Sequence, residues 1–178
     1  MIYLIFVLAA LTRFLSNPHV QEFSPIFGAL LFSGARLSKR DAVWFPSAVL
    51  AICDWILTTR IFHMQMKWEH CFTVLAFAAI AWTGGFLRYK VTGPKLAGCS
   101  IAGPTAYFLI SNFGVWLGWG LYPHTWTGLA TCYLAALPYY RNSLLNTFVI
   151  AALLFGSDEL IARRMYGKHF ESAAAPVH

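Results

Sequence analysis

Long stretches without a charged side chain dominate the pattern of polar and apolar positions along this chain. The longest covers 96–140, and two others cover 71–87 and 142–157. A helix that crosses a bilayer needs about 20 mostly apolar residues, so stretches of this length predict membrane-spanning helices. Their residues are continuously apolar and do not alternate with polar ones, which excludes the pattern of a transmembrane β-barrel.

We predict an all-α membrane protein in which six transmembrane helices form one bundle. The six predicted spans are 2–15, 24–37, 42–61, 69–87, 96–117 and 143–161. Between the last two, 124–140 places Trp126, Leu129 and Tyr133 at helical spacing before Pro138. This segment predicts a short interfacial or re-entrant helix, or alternatively a seventh span. Residues 1–170 are expected to form a single integral-membrane domain, and 171–178 a disordered cytoplasmic tail.

Composition agrees with a membrane protein and excludes two other classes. Hydrophobic residues make up 58% of the chain and charged residues 11%, whereas roughly 25% of residues are charged in soluble domains. A water-soluble enzyme is therefore not expected. Aromatic residues make up 17%, which excludes intrinsic disorder, because disordered chains are poor in aromatics.

The basic residues are distributed unevenly between the two sides of the predicted bundle. With a cytoplasmic N-terminus, most of the 13 Lys and Arg residues fall in the inner loops, whereas a seventh span would divide them almost evenly. The positive-inside rule therefore favours six spans in the cytoplasmic (inner) membrane, with both termini cytoplasmic. The same asymmetry accounts for the net charge of +6, so no nucleic-acid partner is expected. The first apolar run lacks a preceding basic residue and a good cleavage site, so it is expected to be a span and not a signal peptide.

Motifs for catalysis or cofactor binding are not found in the sequence. It contains no P-loop, no HExxH and no nucleophile elbow, and its four cysteines form no CxxC pair. We therefore expect neither an enzyme nor a cofactor. His70 and Cys71 are a weak candidate for metal binding, since imidazole and thiolate are good ligands for soft metals. Isolated cysteines are more typical of apolar packing.

Two ionisable residues lie within predicted spans. Asp54 is in the third span and Arg13 is near the outer end of the first. Because charges inside a membrane are costly, we expect Asp54 to pair with Arg13 or with Arg60. The pair either only joins helices, or Asp54 faces an outward-opening cavity and binds a polar or cationic group of a ligand.

Small residues in the second span predict a close approach between helices. Gly28, Gly34 and Ala35 would serve either internal packing or docking to a partner subunit. Gly114 and Gly118 near the end of the fifth span predict close packing there.

Aromatic and hydrogen-bonding side chains gather near the outer end of the fifth span. Such a mixture is what a small-molecule pocket needs, although an interfacial aromatic belt has the same pattern. The candidate substrate-binding residues are Arg13, Asp54, Asn112, Trp116, Trp119, Tyr122 and Arg141.

Several stretches resemble an uncharacterised family of small bacterial membrane proteins. They are RFL at 13–15, FSPIFGAL at 23–30, SNFGVW at 111–116 and AALPYYRN at 135–142, together with Asp54 in an apolar helix. The resemblance covers nearly the whole chain. That family is similar in layout to the substrate-binding (S) components of energy-coupling factor transporters, which are six-helix proteins with an outward pocket.

The resemblance implies uptake of a small nutrient or vitamin through the bacterial inner membrane. Its partners would be the lipid bilayer, a small-molecule ligand, and separate ATPase and coupling membrane subunits. The alternative is a non-transporting scaffold or assembly protein of the envelope. A membrane enzyme is disfavoured because no spaced acid–base or metal cluster is present.

Overall fold

The computed structural model describes residues 2–14, 25–63, 65 and 67–173, with side chains described as far as Arg164. Within these residues the chain is helical and contains no strand, which confirms the predicted all-α class. The described α-helices are α1 (Ile2–Leu11), α2 (Ile26–Arg36), α3 (Asp41–Ile56), α4 (His70–Gly84), α5 (Gly93–Gly118) and α6 (Trp126–Ala173). A 3₁₀ turn extends α1 over Thr12–Phe14, another extends α4 over Gly85–Leu87, and a π-helical turn extends α3 over Leu57–Ile61.

The N-terminal end of α1 and the later part of α6 lie at the same end of the bundle. The Tyr3 hydroxyl donates a hydrogen bond of 2.9 Å to Asp41 Oδ2 at the start of α3. Arg36 at the end of α2 forms an ion pair of 2.7 Å with Asp158 Oδ2 of α6. At the opposite end, Arg13 after α1 pairs with Asp54 of α3. We call these the Arg36 end and the Arg13 end; successive helices run between them in alternating directions.

Helix α2 is the centre of the core. Nine of its 11 residues are buried, and Leu30 and Leu31 have no exposed surface. It packs against α1, α4 and α6. A helix with apolar or small residues on all sides is stable only when it is surrounded by other elements, which places α2 inside the bundle.

Glycines allow α2 to pack closely against two neighbours. A Cβ added to Gly34 would fall on the carbonyl oxygen of Ala81 in α4, and a Cβ added to Gly84 would fall on that of Leu31 in α2. A Cβ on Gly28 would lie 2.5 Å from the side chain of Ile150 in α6. These contacts confirm internal packing as the role of the small residues of α2.

Three helices of the described chain are long and apolar enough to cross a membrane. They are Asp41–Ile61, His70–Leu87 and Trp126–Arg164, which correspond to the third, fourth and sixth predicted spans. The first two predicted spans are apolar but short, and are represented by Ile2–Phe14 and Ile26–Arg36. Helix α5 has the length, but its Gly, Ser, Thr, Pro and Asn residues make it less apolar. The described residues form six helices, one for each predicted span, but only three of them are long and apolar enough to cross a membrane, and not the predicted six.

The predicted separate helix over 124–140 is wrong. Helix α6 continues from Trp126 through Pro138 to Ala173, so this segment and the last predicted span are one element. A proline inside a helix removes one backbone hydrogen bond and usually breaks or kinks the helix. Here Tyr133 and Tyr140 on either side of Pro138 are hydrogen-bonded to Leu109 and Thr105 of α5, at 2.7 and 2.8 Å. Because α5 holds both sides, the helix continues.

The predicted tail at 171–178 lies partly within this helix. The backbone of residues 171–173 is helical, and 174–178 lie outside the described residues.

Candidate functional site

A cavity of about 370 Å³ lies at the Arg13 end of the bundle, among α1, α3, α4 and α5. We call it the Arg13 cavity. Its polar lining is formed by Arg13, Asp54, Thr58, Glu69, His70, Thr73 and Ser111, and its aromatic lining by Phe62, Tyr107 and Trp119. Phe62 and Trp119 are exposed, so the cavity reaches the surface beside them. Its volume is within the range of small-molecule pockets, roughly 300–1,000 Å³.

An ion pair between Arg13 and Asp54 forms one wall of this cavity. Arg13 Nη2 lies 2.5 Å from Asp54 Oδ1, and the two side chains are 22% and 9% exposed. The predicted pairing of Asp54 is therefore confirmed, with Arg13 as the partner, while Arg60 is exposed at the end of the π-helical turn. The second atom of each group, Arg13 Nη1 and Asp54 Oδ2, is buried without a hydrogen-bond partner among the described residues. Buried polar atoms rarely remain unpaired, so a further hydrogen-bonding group is expected beside these two atoms.

Glu69 contributes a second buried carboxylate, directly before α4. Its side chain is 1% exposed, and neither carboxylate oxygen has a hydrogen-bond partner among the described residues. Lys67 Nζ lies 4.0 Å from Oε1, which is beyond hydrogen-bond distance, and its side chain is 61% exposed. The stem of Glu69 crosses Gly118 of α5, where an added Cβ would lie 2.6–2.9 Å from three of its carbons. Gly118 therefore makes the space in which Glu69 is held.

The π-helical turn after α3 brings Leu57 and Thr58 to the cavity. The backbone N–H of Phe62 donates to the carbonyl of Leu57 at 2.9 Å, a bond that spans five residues. Thr58 Oγ1 then lies 3.5 Å from Nε2 of His70. Turns of this kind occur often at functional sites, because they change the direction in which side chains project.

Both ring nitrogens of His70 lie close to polar groups. Nδ1 lies 3.1 Å from the carbonyl oxygen of Lys67. A carbonyl only accepts hydrogen bonds, so Nδ1 carries a hydrogen and donates it to Lys67, while Nε2 faces the Thr58 hydroxyl. The His70 ring centre lies 6.3 Å from that of Trp119, which directly follows α5, across the mouth of the cavity.

Three of the seven predicted substrate-binding residues meet in the Arg13 cavity: Arg13, Asp54 and Trp119. Asn112 instead lines a neighbouring cavity of about 200 Å³ between α5 and α6, and its amide donates to the carbonyl of Phe108 at 2.8 Å. Tyr107 and Ser111 line both cavities.

The other three predicted residues are not among those that line either cavity. Trp116 donates its indole N–H to the carbonyl of Pro123 at 3.0 Å and so fixes the loop between α5 and α6. Tyr122 is half-buried in that loop, and Arg141 is exposed on α6.

His70 and Cys71, the weak candidate for metal binding, are the first two residues of α4 and differ in their surroundings. His70 lines the cavity, whereas Cys71 is exposed. In the described part of the chain, no group of three or more His, Cys, Asp or Glu side chains is arranged to hold a metal ion.

The sequence interpretation missed Glu69, Thr58 and Tyr107 as site residues. Glu69 did leave a signal, because it is an isolated carboxylate at the edge of an apolar run and is followed by a histidine. Thr58 and Tyr107 left none, since a threonine or tyrosine in an apolar helix is common on any face.

The comparisons with known proteins support the predicted uncharacterised family. No curated protein and no solved structure matches the chain. A family of unknown function, DUF6580, matches residues 1–173. Because this match covers nearly the full length, the chain belongs to the DUF6580 family of unknown function.

Proposed function

We propose that this protein is an integral membrane protein that binds a small nutrient or vitamin in the Arg13 cavity. In this proposal it is the substrate-binding subunit for uptake of that molecule, similar to an S component. The observation that carries the proposal is a cavity of suitable size with buried polar atoms on Arg13, Asp54 and Glu69 that have no hydrogen-bond partner among the described residues. A scaffold protein would have no need for such atoms, because a buried polar atom without a hydrogen bond destabilises the folded protein.

Exposed apolar side chains support placement in a membrane. Large residues such as Leu4, Ile52, Leu75, Leu109 and Leu153 are each about half exposed or more. They are spread over five of the six described helices, as expected for a surface in contact with lipid and not with water. The helices α1 and α2 are short for crossing a membrane. Arg13 and Arg36 near their ends would help, because their long side chains extend from the edge of the hydrocarbon layer to the polar surface of the membrane.

The distribution of basic residues supports an outward-facing cavity. The Arg36 end carries Arg36 and Arg88, the loops there contain Lys39, Arg40 and Lys90, and Lys95 lies in the first turn of α5. By the positive-inside rule this end faces the cytoplasm, together with both termini. The Arg13 cavity then opens on the outer side of the inner membrane, where an S component would capture its substrate. Energy would come from separate ATPase and coupling subunits, an expectation that rests on analogy of layout.

The proposal is tested by native mass spectrometry of the protein purified in detergent. We expect a reproducible small molecule on the wild-type protein and its loss from Asp54→Asn, because that substitution removes the charge that pairs with Arg13. Asp158→Asn is the matched control, since Asp158 forms an ion pair with Arg36 at the other end. The control should retain the molecule.

Two results would contradict the proposal. One is the absence of any bound small molecule from the wild-type protein. The other is co-purification with cell-wall machinery in place of ATPase and coupling subunits, which would favour the envelope scaffold.

A further inference from the structure

We infer that the ligand of the Arg13 cavity carries a protonated nitrogen, in an ammonium or amidinium group, that pairs with Glu69. This inference rests on the proposed function, because it assumes that the cavity binds a small molecule. It goes further by naming the chemical class of that molecule.

The buried carboxylate of Glu69 indicates that the ligand of the cavity carries a positive charge. Arg13 and Asp54 neutralise each other at 2.5 Å. His70 Nδ1 donates its hydrogen to the Lys67 carbonyl and Nε2 faces the Thr58 hydroxyl, so His70 makes no hydrogen bond to Glu69. Glu69 is therefore a carboxylate with no hydrogen bond among the described residues and no ion-pair partner closer than 4.0 Å, on a side chain that is 1% exposed. A carboxylate withdrawn from water is tolerated only when a cation or several hydrogen bonds replace the lost solvation.

The described protein groups do not provide that replacement. Both oxygens of Glu69 lack hydrogen bonds, and the Lys67 ammonium stands 4.0 Å away on an exposed side chain. A divalent metal ion would need more ligands than are assembled here, because no group of three suitable side chains occurs among the described residues. A monovalent organic cation needs only a carboxylate and some apolar wall.

The remaining lining suits an organic cation. Phe62, Tyr107 and Trp119 surround the cavity with aromatic surface, which attracts cations through the negative faces of the rings. Arg13 Nη1 and Asp54 Oδ2 offer one further donor and one acceptor for a polar group elsewhere on the ligand. The cavity thus fits a small molecule with a cationic nitrogen and an apolar body.

Benzamidine, benzamide and benzoate form a test set, because they share one shape and carry positive, neutral and negative charge. Their binding to the detergent-solubilised full chain is measured by isothermal titration calorimetry. We expect the wild-type protein to prefer benzamidine over benzamide by about tenfold or more, and to bind benzoate least. Glu69→Gln should abolish this preference, while Glu69→Asp should keep part of it because the charge remains.

Glu159→Gln is the matched control, since Glu159 is exposed on α6 and paired with Arg163. It should leave the preference unchanged. Equal or tighter binding of benzamide or benzoate to the wild-type protein would overturn the inference, as would a benzamidine preference that survives Glu69→Gln. Failure of all three compounds to bind would also overturn it. The proposed function would stand in each case if a small molecule still co-purifies.

A second variant moves the carboxylate without changing its charge. Gly118→Ala places a methyl group 2.6–2.9 Å from the Glu69 stem, so the stem must shift. We expect benzamidine affinity to fall about tenfold while circular dichroism shows a folded protein. Gly98→Ala in the same helix adds a methyl group to open space and should leave the affinity unchanged. Equal affinities of the two variants would contradict the assigned role of Glu69.

Discussion

Arg13→Met is expected to lower the free energy of unfolding by about 3–5 kcal/mol, the largest effect predicted for this protein. The substitution leaves the Asp54 carboxylate, which is 9% exposed, without the guanidinium that pairs with it. Methionine keeps much of the apolar stem of arginine. The loss of stability therefore reports the missing charge and not a loss of packed side-chain volume. The measurement is reversible unfolding of the detergent-solubilised protein, followed by circular dichroism.

Arg36→Met is the matched control for this prediction. Arg36 also joins two helices through an aspartate, at 2.7 Å, but its side chain and that of Asp158 are 30% and 36% exposed. Solvent compensates for the loss of such a pair, and we expect a change of no more than about 1 kcal/mol. Equal losses in the two variants would contradict the assignment of Arg13–Asp54 as a buried pair.

The double variant Arg13→Met/Asp54→Leu distinguishes the contribution of the ion pair to protein stability from its role in ligand binding. Removing both charges eliminates the unpaired carboxylate, and replacing a buried pair by apolar residues is often neutral or stabilising. We therefore expect stability near that of the wild type together with loss of the bound small molecule. A double variant that still carries the molecule would exclude the pair from the binding site.

The Arg13–Asp54 pair was predictable because it is defined by charge and depth alone. Arg13 and Asp54 stand out in apolar runs, and the alternation of spans places both at the same end of the bundle. Pairing follows from the cost of an isolated charge, with only the choice between Arg13 and Arg60 left open. Trp119 was predicted because it follows the last residues of α5. The alternating directions of the helices place this part of the chain at the Arg13 end of the bundle.

The burial of Glu69, in contrast, could not be predicted from charge and depth. In the sequence Glu69 looks like an ordinary acidic residue at the start of a helix, where exposure to water is the usual outcome. Its burial depends on Gly118 and on the exact rotation of α5 against α4, neither of which the hydrophobic pattern specifies. Asn112 illustrates the reverse case, because the same rotation turns it towards α6 and into the neighbouring cavity.

The fold was predictable in class and in helix order, but not in helix length. Charge-free runs locate helices reliably because an apolar run has to be buried or placed in lipid. The end of a helix is decided by particular contacts, as at Pro138, where hydrogen bonds from Tyr133 and Tyr140 to α5 keep α6 continuous. These bonds join residues far apart in sequence, so local helix-breaking signals alone predicted a break that does not occur.

The close crossing of α2 and α4 leads to the second large effect. Gly34→Ala is expected to destabilise the protein by about 2–3 kcal/mol, near the upper end of the usual cost of overpacking. The added methyl group would fall on the backbone carbonyl of Ala81, which cannot rotate away as a side chain could. The two helices must then separate, and the contact of Gly84 with Leu31 on the other side of the crossing is lost with them.

Gly98→Ala provides the control for this second prediction as well. It makes the same chemical change within a helix, but no atom outside its own helix lies within 4 Å of the added carbon. Because alanine favours a helix over glycine by up to about 1 kcal/mol, this variant should be as stable as the wild type or more so. The two variants therefore shift the unfolding transition in opposite directions if α2 and α4 meet at Gly34. A stabilised Gly34→Ala protein would mean that the helices do not cross there and that α2 is not the packed centre of the bundle.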